Sequence, residues 1–282
     1  MDARYLQAAL IMSVGMLLIP FGDTAGKFMT SAGVAPLFVA WGRYSVGLVL
    51  LTPFIWDRAI WGLLRDRRIW LRSAFQTVTI STILTALQTE PIANVFGAFF
   101  LGPFVSYMLS VWLLKEQGSR ARIVLLLLGL GGVLLVVKPG FGMTPGLGWA
   151  LVSGCFYGMF LTASRWVQPL GKPLHLLLAQ LTIGSLLLLP FGVAYIPSEI
   201  PWGLMVWSGT ASMFGNLFLI FAYARAGASW LAPFVYLQLI GAVVYGALFF
   251  GDLPDPFAAL GIAVIFVSGF ANLFLRTSRH AP

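Results

Sequence analysis

Long apolar runs alternate with short polar breaks along almost the whole chain. The runs between charged or Gly/Pro-rich breaks number ten, and each is long enough to cross a bilayer as a helix of roughly 20 residues. They cover residues 5–26, 35–55, 73–89, 91–113, 121–137, 146–167, 174–195, 202–224, 229–250 and 257–275. The pattern predicts an all-α polytopic membrane protein with ten transmembrane helices, joined by loops too short to form a soluble domain.

The composition requires a bilayer as the solvent for most of this chain. Of its 282 residues, 59% are hydrophobic and only 9% are charged, whereas a soluble domain has about 25% charged residues. Water could not solvate so many apolar side chains, so the lipid bilayer is an expected partner. The first apolar run is not followed by a small-residue cleavage signature, which predicts a retained span rather than a removable signal peptide.

The basic residues mark the two sides of the membrane. Fourteen of the seventeen Lys and Arg residues lie at the termini or in the even-numbered loops, while Lys27 and Lys138 lie in odd loops and Arg43 lies within the second span. Lys and Arg collect on the cytoplasmic side of bacterial-type membrane proteins. Both termini are therefore predicted to be cytoplasmic, in a multi-pass protein of the cell inner membrane. This topology explains the net charge of +8, and no nucleic-acid partner is expected.

The sequence resembles itself at an offset near 137 residues. Residues 24–29 correspond to 162–167, and residues 47–54 correspond to 184–191, with a Pro-Phe pair ending both members of the second match. Further matches keep the same order, with offsets between 136 and 138. The chain is therefore predicted to consist of two related halves.

Residues 1–137 and 138–282 each form one half, with five predicted spans apiece. Because five is an odd number, the two halves must cross the membrane in opposite directions. The charges agree, since Lys27 is predicted outside and its counterpart Arg165 inside. Inverted repeats are the usual architecture of secondary transporters, in which two nearly equivalent packings each open to one side.

The second, fourth and ninth spans carry short motifs. The tripeptide Trp-Gly-Arg stands at 41–43, and the segment 98–116 has a proline in the middle of the fourth span and Glu116 at its end. The second half repeats this pattern in part, from Pro233 to Asp252, with Asp where Glu is usual. On these motifs the chain resembles the drug/metabolite transporter superfamily, and within it the EamA-like family.

The resemblance implies a fold and a mode of transport. It implies a central cavity between the halves, lined mainly by the first, third, fourth, sixth, eighth and ninth spans. It also implies that the fifth and tenth spans lie outside the transport path, where a homodimer contact is expected. It names no substrate, because the family carries amino acids, vitamins, nucleoside-like compounds and toxic cations.

Charged side chains within the spans are candidates for substrate contacts, because they are costly in hydrocarbon and tend to face the bundle interior. Arg43 fits either an anion site or a structural ion pair, and the structural role is favoured because the family has Arg here with different substrates. Asp23 and Lys27 are four residues apart and could pair on one helix face, as a gate or as a solvated helix end. Glu90 precedes a helix N-terminus, a favourable place for a carboxylate, and a substrate or proton role is the alternative.

Uncharged polar side chains supply the remaining candidates. Aromatic and amide groups on cavity-forming spans would suit a flat or zwitterionic organic solute, although an interhelical hydrogen bond explains each residue equally well. The favoured candidates of this kind are Gln76, Asn94, Tyr157, Asn216, Tyr236 and Gln238, and the further ones are Tyr107, Gln180, Tyr223 and Tyr245.

No motif predicts catalysis, a cofactor or a metal site. A phosphate-binding Gly-rich loop is missing, which argues against ATP drive, and His175 and His280 are far apart without ligand partners. The sequence therefore predicts a secondary transporter, and not an enzyme, for a small polar metabolite such as an amino acid or a riboflavin-like vitamin. The alternatives are a multidrug or toxic-cation exporter, which usually relies on a deep carboxylate in the first span, and a membrane-embedded lipid enzyme.

Overall fold

The computed structural model describes residues 3–55, 57, 59–115, 120–223, 225 and 231–277, and within these ranges the chain is helical with no strand. The α-helices there are α1 (Ala3–Ser31), α2 (Pro36–Ile55), α3 (Ala59–Arg65), α4 (Arg67–Leu87), α5 (Ile92–Phe99), α6 (Leu101–Leu113), α7 (Arg120–Val137), α8 (Pro145–Val167), α9 (Pro173–Ala194), α10 (Trp202–Tyr223), α11 (Leu237–Phe250) and α12 (Pro256–Thr277). Two short 3₁₀ helices cover Gln168–Leu170 and Ala232–Tyr236. The helices follow the predicted spans closely.

Seven helices in the described residues are long and apolar enough to cross a membrane. They are α1, α2, α5 with α6 as one unit, α7, α8, α9 and α10, while the apolar parts of the last two helices, Phe234–Phe250 and Pro256–Ala271, are shorter. The α4 helix does not reach this level of hydropathy, because serine, threonine and glutamine recur along it. The chain is therefore a multi-pass membrane protein.

Two helix boundaries differ from the predicted spans. The α1 helix continues to Ser31 rather than ending at residue 26, so Asp23 lies about 12 Å before the end of the helix at 1.5 Å per residue. The α4 helix begins at Arg67 rather than at residue 73, because the carboxylate of Asp66 caps it by accepting a 2.8 Å hydrogen bond from the Arg68 amide. The predicted span 73–89 leaves Arg72 in the preceding loop, which is wrong, since this arginine belongs to α4 and is buried.

The fourth span is broken at Phe100, between α5 and α6. Pro103 causes the break, because proline has no N–H to donate to the carbonyl four residues earlier. Glycines let α8 pack against the broken region, since a Cβ on Gly154 would lie 2.7 Å from the carbonyl oxygen of Phe99. The ninth span has a 3₁₀ segment at the corresponding place, and the rings of Phe100 and Tyr236 stack with their centroids 5.0 Å apart.

The helix packing repeats under exchange of the two halves. The α1 helix packs on α10 and α11, just as α8 packs on α4 and on α5 with α6. Helix α2 packs on α9, and α7 packs on α12. The contact of α2 with α10 corresponds to the contact of α9 with α4. Each of these contacts therefore has an equivalent contact between the two helices that lie about 137 residues away in the sequence.

Polar contacts gather at the two ends of the bundle. At one end, here named the lysine end, Lys27 and Lys138 contact the turn between α11 and α12. At the opposite end, the arginine end, Arg165 donates a hydrogen bond to Ser110 and His175 lies 2.9 Å from Asp57. The hydrogen bond with His175 keeps the pKa of the Asp57 carboxyl below its usual range.

Candidate functional site

A small polar pocket of about 30 Å³ lies between α2, α4, α9 and α10. Its lining residues are Arg43, Tyr44, Ile80, Leu177, Gln180, Leu181, Gly209, Ser212, Met213 and Asn216. A second small pocket of about 20 Å³ lies beside the break in the fourth span, and Tyr236 and Ser268 are the polar side chains among its lining residues. Since the first pocket, called the polar pocket below, holds a charge and two amides, it is the better candidate for binding a polar solute.

Arg43 in the polar pocket forms a buried ion pair with Asp23. Its Nη1 lies 2.5 Å from Asp23 Oδ1 and its Nε donates to Ser212 Oγ, while the two charged side chains are 6% and 4% exposed. This partner overturns the expected pairing of Asp23 with Lys27 on one helix face. The contact matches the structural interpretation of Arg43, and it leaves the charge of the pocket balanced.

Gln180 and Asn216 bring amide groups to the same pocket. Gln180 is 4% exposed, and its amide forms no hydrogen bond with the residues that the structure describes. Asn216 donates from Nδ2 to the carbonyl of Ser212 at 2.9 Å, within its own helix. Gln180 stands 137 residues after Arg43, at the offset of the repeat, so corresponding positions of the two halves meet in the polar pocket.

Unpaired polar atoms extend from the polar pocket toward the arginine end. Among the described residues, Tyr44 Oη, Ser73 Oγ and Gln76 Oε1 are buried without a hydrogen-bond partner. Arg72 is 8% exposed and lies one helical turn from Gln76 on α4. Its Nε donates to Ser164 Oγ at 2.9 Å, and its Nη1 donates to a backbone carbonyl of α9 at 3.3 Å.

Aromatic side chains join two further candidates across the centre of the bundle. Tyr157 lies with its ring centroid 4.6 Å from that of Phe99, and Tyr236 stacks on Phe100. Phe99 and Phe100 are themselves 6.4 Å apart between ring centroids. The two tyrosines are thus brought into one aromatic row at the breaks of the fourth and ninth spans.

Lys27 and Glu90 lie together at the lysine end rather than in the polar pocket. Lys27 Nζ donates to Asp252 Oδ2 at 2.8 Å and to the carbonyl of Glu90 at 2.9 Å. The Glu90 carboxylate accepts a hydrogen bond from Thr144 Oγ1, which joins α8 to the turn before α5. The acidic residue Glu116, which the resemblance also singled out, lies outside the described residues.

The last two candidates lie in neither the polar pocket nor the aromatic row. Gln238 donates from Nε2 to the sulfur of Met16 on α1 at 3.0 Å. Asn94 lies on α5, and its buried Oδ1 has no hydrogen-bond partner among the residues described. Of the ten predicted residues, the structure therefore places Asp23, Arg43, Gln76 and Asn216 at or beside the polar pocket.

Two residues of this region were not among the ten predicted site residues. Arg72 follows a run of arginines, which predicts a loop there, and Gln180 is one of the further uncharged candidates but not one of the ten favoured residues. The spacing of Arg72, Gln76 and Ile80 at i, i+4 and i+8 would have placed all three on one face of a helix. The offset of 137 from Arg43 would have singled out Gln180.

Comparison with known proteins gives the family. The chain is 25% identical to a riboflavin transporter of Brucella anthropi over 82% of this chain and 87% of that one. It is 26% identical to a pseudopaline exporter of Pseudomonas aeruginosa over 66% and 67% of the two chains. A protein of known crystal structure superposes with a TM-score of 0.67 at 17% identity, covering 97% of this chain and 99% of that one.

The sequence model of the EamA-like transporter family matches residues 6–138 and, a second time, residues 144–274. The two matches together span nearly the whole chain, and their boundary falls in the turn between α7 and α8. The chain therefore belongs to the EamA-like transporter family.

Proposed function

We propose that this transporter is a secondary carrier that moves a small polar organic solute by alternating access, without ATP. The observation that carries the proposal is the polar pocket, which is built from two helices of each half, α2 and α4 with α9 and α10. A binding site at the interface of two repeats becomes accessible from either side when one half rocks against the other.

The proposed architecture is ten spans in two inverted repeats, residues 1–137 and 138–282. Two observations support it: the family model matches the chain twice, and the helix contacts map onto themselves when the halves are exchanged. In this arrangement α4, α11 and α12 also cross the bilayer, although they are more polar or shorter than the other seven. Burial of α4 between α8 and α9 makes its hydroxyl-rich surface tolerable in a membrane.

We place the lysine end outside and the arginine end in the cytoplasm, with both termini cytoplasmic and the protein in the inner membrane. The surplus of arginine at one end supports this orientation. The contacts of Lys27 with Asp252 and with the Glu90 carbonyl join α1, α11 and the turn before α5. These contacts close the outer end, so they must break for a solute to enter or leave on that side.

The polar pocket and the aromatic row favour a solute with a ring and several hydrogen-bonding groups. The Arg43–Asp23 pair holds no net charge, while Gln180 and Asn216 offer amides in the polar pocket. The row from Tyr157 to Tyr236 offers ring faces, and its members Phe100 and Tyr236 line the second pocket. Vitamins of the riboflavin type and amino-acid derivatives have these features. A riboflavin transporter and a pseudopaline exporter among the relatives are consistent with both classes.

A multidrug or toxic-cation exporter is the second candidate, because Asp23 lies deeper in α1 than the sequence indicated. Such exporters need a membrane carboxylate that is free to meet a cation. The Asp23 carboxylate already contacts Arg43, and a bound cation would have to displace a guanidinium. We therefore rank this function below metabolite transport.

Transport into proteoliposomes tests the proposal. Liposomes containing the purified protein are given labelled riboflavin, a panel of labelled amino acids and the cation tetraphenylphosphonium, each with and without internal ATP. We expect saturable uptake of riboflavin or an amino acid that does not depend on ATP and is absent from protein-free liposomes. Saturable movement of tetraphenylphosphonium alone would favour the cation exporter, and no saturable movement of any solute would refute the carrier.

A further inference from the structure

Arg72 is a buried cation with no carboxylate partner in the part of the chain that the structure describes. Its contacts among the described residues are the hydroxyl of Ser164 at 2.9 Å, the carbonyl of Leu176 at 3.3 Å and the ring of Phe160, 4.8 Å from the guanidinium carbon. None of these groups carries a negative charge. Because a buried charge is costly unless it is paired, an uncompensated guanidinium in a membrane protein points to a partner beyond these residues, and a bound solute can supply it.

Polar atoms without partners surround the path from Arg72 to the polar pocket. Tyr44 lines that pocket and is close enough to Arg72 to interact with it electrostatically. Its hydroxyl lies near Thr77 but forms no hydrogen bond of good geometry. Ser73 Oγ and Gln76 Oε1 are also buried and unpartnered among the described residues. These groups offer additional donors and acceptors beside the guanidinium.

Arg72 does not line the polar pocket itself, but the backbone places it next to the pocket on the side of the arginine end. Its carbonyl partner Leu176 immediately precedes Leu177, which lines the pocket. On α4, Gln76 and Ile80 follow Arg72 at successive helical turns on one face, and Ile80 also lines the pocket. A solute held by Gln180 and Asn216 would therefore extend toward Arg72.

We propose that the polar pocket takes solutes bearing a carboxylate, and that Arg72 is the residue that binds this group. This inference rests on the carrier function proposed above and adds the chemical class of its solute. The guanidinium suits a carboxylate, because its planar N–H groups match two carboxylate oxygens. The hydroxyl of Tyr44 supplies a further donor, while the neutral part of the solute lies against the amides of Gln180 and Asn216.

Thermal unfolding of the purified full-length protein in detergent tests the proposal with pairs of isosteric probes. Benzoate is compared with benzamide, and phenylalanine with phenylalaninamide, at constant ionic strength. We expect the carboxylates to raise the Tm saturably and the amides to have a much weaker effect. In Arg72→Gln the concentration of carboxylate needed for half of the Tm increase should rise by about tenfold or more.

Arg67→Gln is the matched control, since it removes an exposed arginine from the first position of the same helix and should leave the Tm increase unchanged. If Arg72→Gln does not fold, Arg72→Lys and Tyr44→Phe keep the packing and should weaken the response to carboxylates alone. The proposal is overturned if carboxylates raise the Tm no more than their amides. It is equally overturned if the increase is the same in the Arg72 variants as in the native protein.

A transport measurement separates this proposal from the carrier function. If the native protein transports a solute saturably and Arg72→Gln transports it with an unchanged KM, the carrier function stands and the role of Arg72 fails. If the native protein transports nothing while carboxylates still raise its Tm through Arg72, the binding site stands and the carrier function fails.

Discussion

Two arginines are buried among the residues that the structure describes, and they lie on neighbouring helices but contact different kinds of group. Arg43 on α2 contacts a carboxylate and a hydroxyl, all within the protein. Arg72 on α4 contacts a hydroxyl, a carbonyl and a ring, and among the described residues it has no acidic neighbour. The comparison shows that burial alone does not define a substrate contact, because the partner already present in the protein determines whether a charge is available to a ligand.

Removing the Arg43 guanidinium should have the largest effect on stability. Arg43→Met leaves the buried Asp23 carboxylate without a partner, and breaking such a pair costs about 3–5 kcal/mol. The measurement is the free energy of unfolding in mixed detergent, with Asp23→Leu expected to cost about as much. The double variant should recover most of the loss, since two apolar residues leave no buried charge; a double variant less stable than both single variants would contradict the ion-pair interpretation.

Removing the Arg72 guanidinium should cost much less stability. Arg72→Met gives up two hydrogen bonds to neutral groups, worth about 0.5–1.5 kcal/mol each, and also removes the cost of burying an unpaired charge. We expect a net change of about 1 kcal/mol or less in the same unfolding measurement. A loss as large as that of Arg43→Met would show that both arginines are structural and would end the contrast between them.

The Lys27–Asp252 pair at the lysine end extends the comparison to a half-exposed carboxylate. Asp252 is 34% exposed in its side chain and Lys27 is 9% exposed. Asp252→Asn keeps an acceptor for Lys27, which also retains its hydrogen bond to the Glu90 carbonyl, so it should cost about 1 kcal/mol. The expected effect is on opening, because this contact joins α1 to the end of α11. The test uses a protein in which Cys155 is replaced by Ala and a single cysteine is introduced at Thr30. This cysteine should react faster with a charged thiol reagent when Asp252→Asn is also present. An unchanged reaction rate would argue against closure of the lysine end by this pair.

The Lys138–Asp255 pair should have the smallest effect and should be visible through pH. The hydrogen bond from Lys138 keeps the pKa of Asp255 below its usual range, so the pair stabilises the protein above about pH 4 and this contribution is lost as the pH falls through the lowered pKa. The Tm of Lys138→Ala should be slightly lower than that of the native protein from pH 5 to pH 8, and the difference should shrink in acid. A difference that grows in acid would contradict the assigned shift.

Particular residues show how far the sequence could lead. The apolar pattern predicts the helices to within a few residues. It also places Arg43 inside a span, where a structural role for the buried guanidinium requires an ion-pair or hydrogen-bond partner. It did not place Arg72, because the arginines from Arg65 onward lowered the local hydropathy and made the start of α4 look like a loop. It also paired Asp23 with Lys27, which are neighbours on one helix, whereas the structure pairs each with a residue from another helix.

The sequence by itself determined the helices, because in lipid the backbone must satisfy its own hydrogen bonds and an apolar run has no better conformation than a helix. It also determined the membrane-embedded character of the chain, and its repeated residues predict a counterpart for each helix. Only the tertiary structure decided which charges meet. Asp23 and Arg43 are 20 residues apart, while Lys27 and Asp252 are 225 apart. An ion pair depends on the distance between side chains after the helices have packed, and local sequence does not specify that distance.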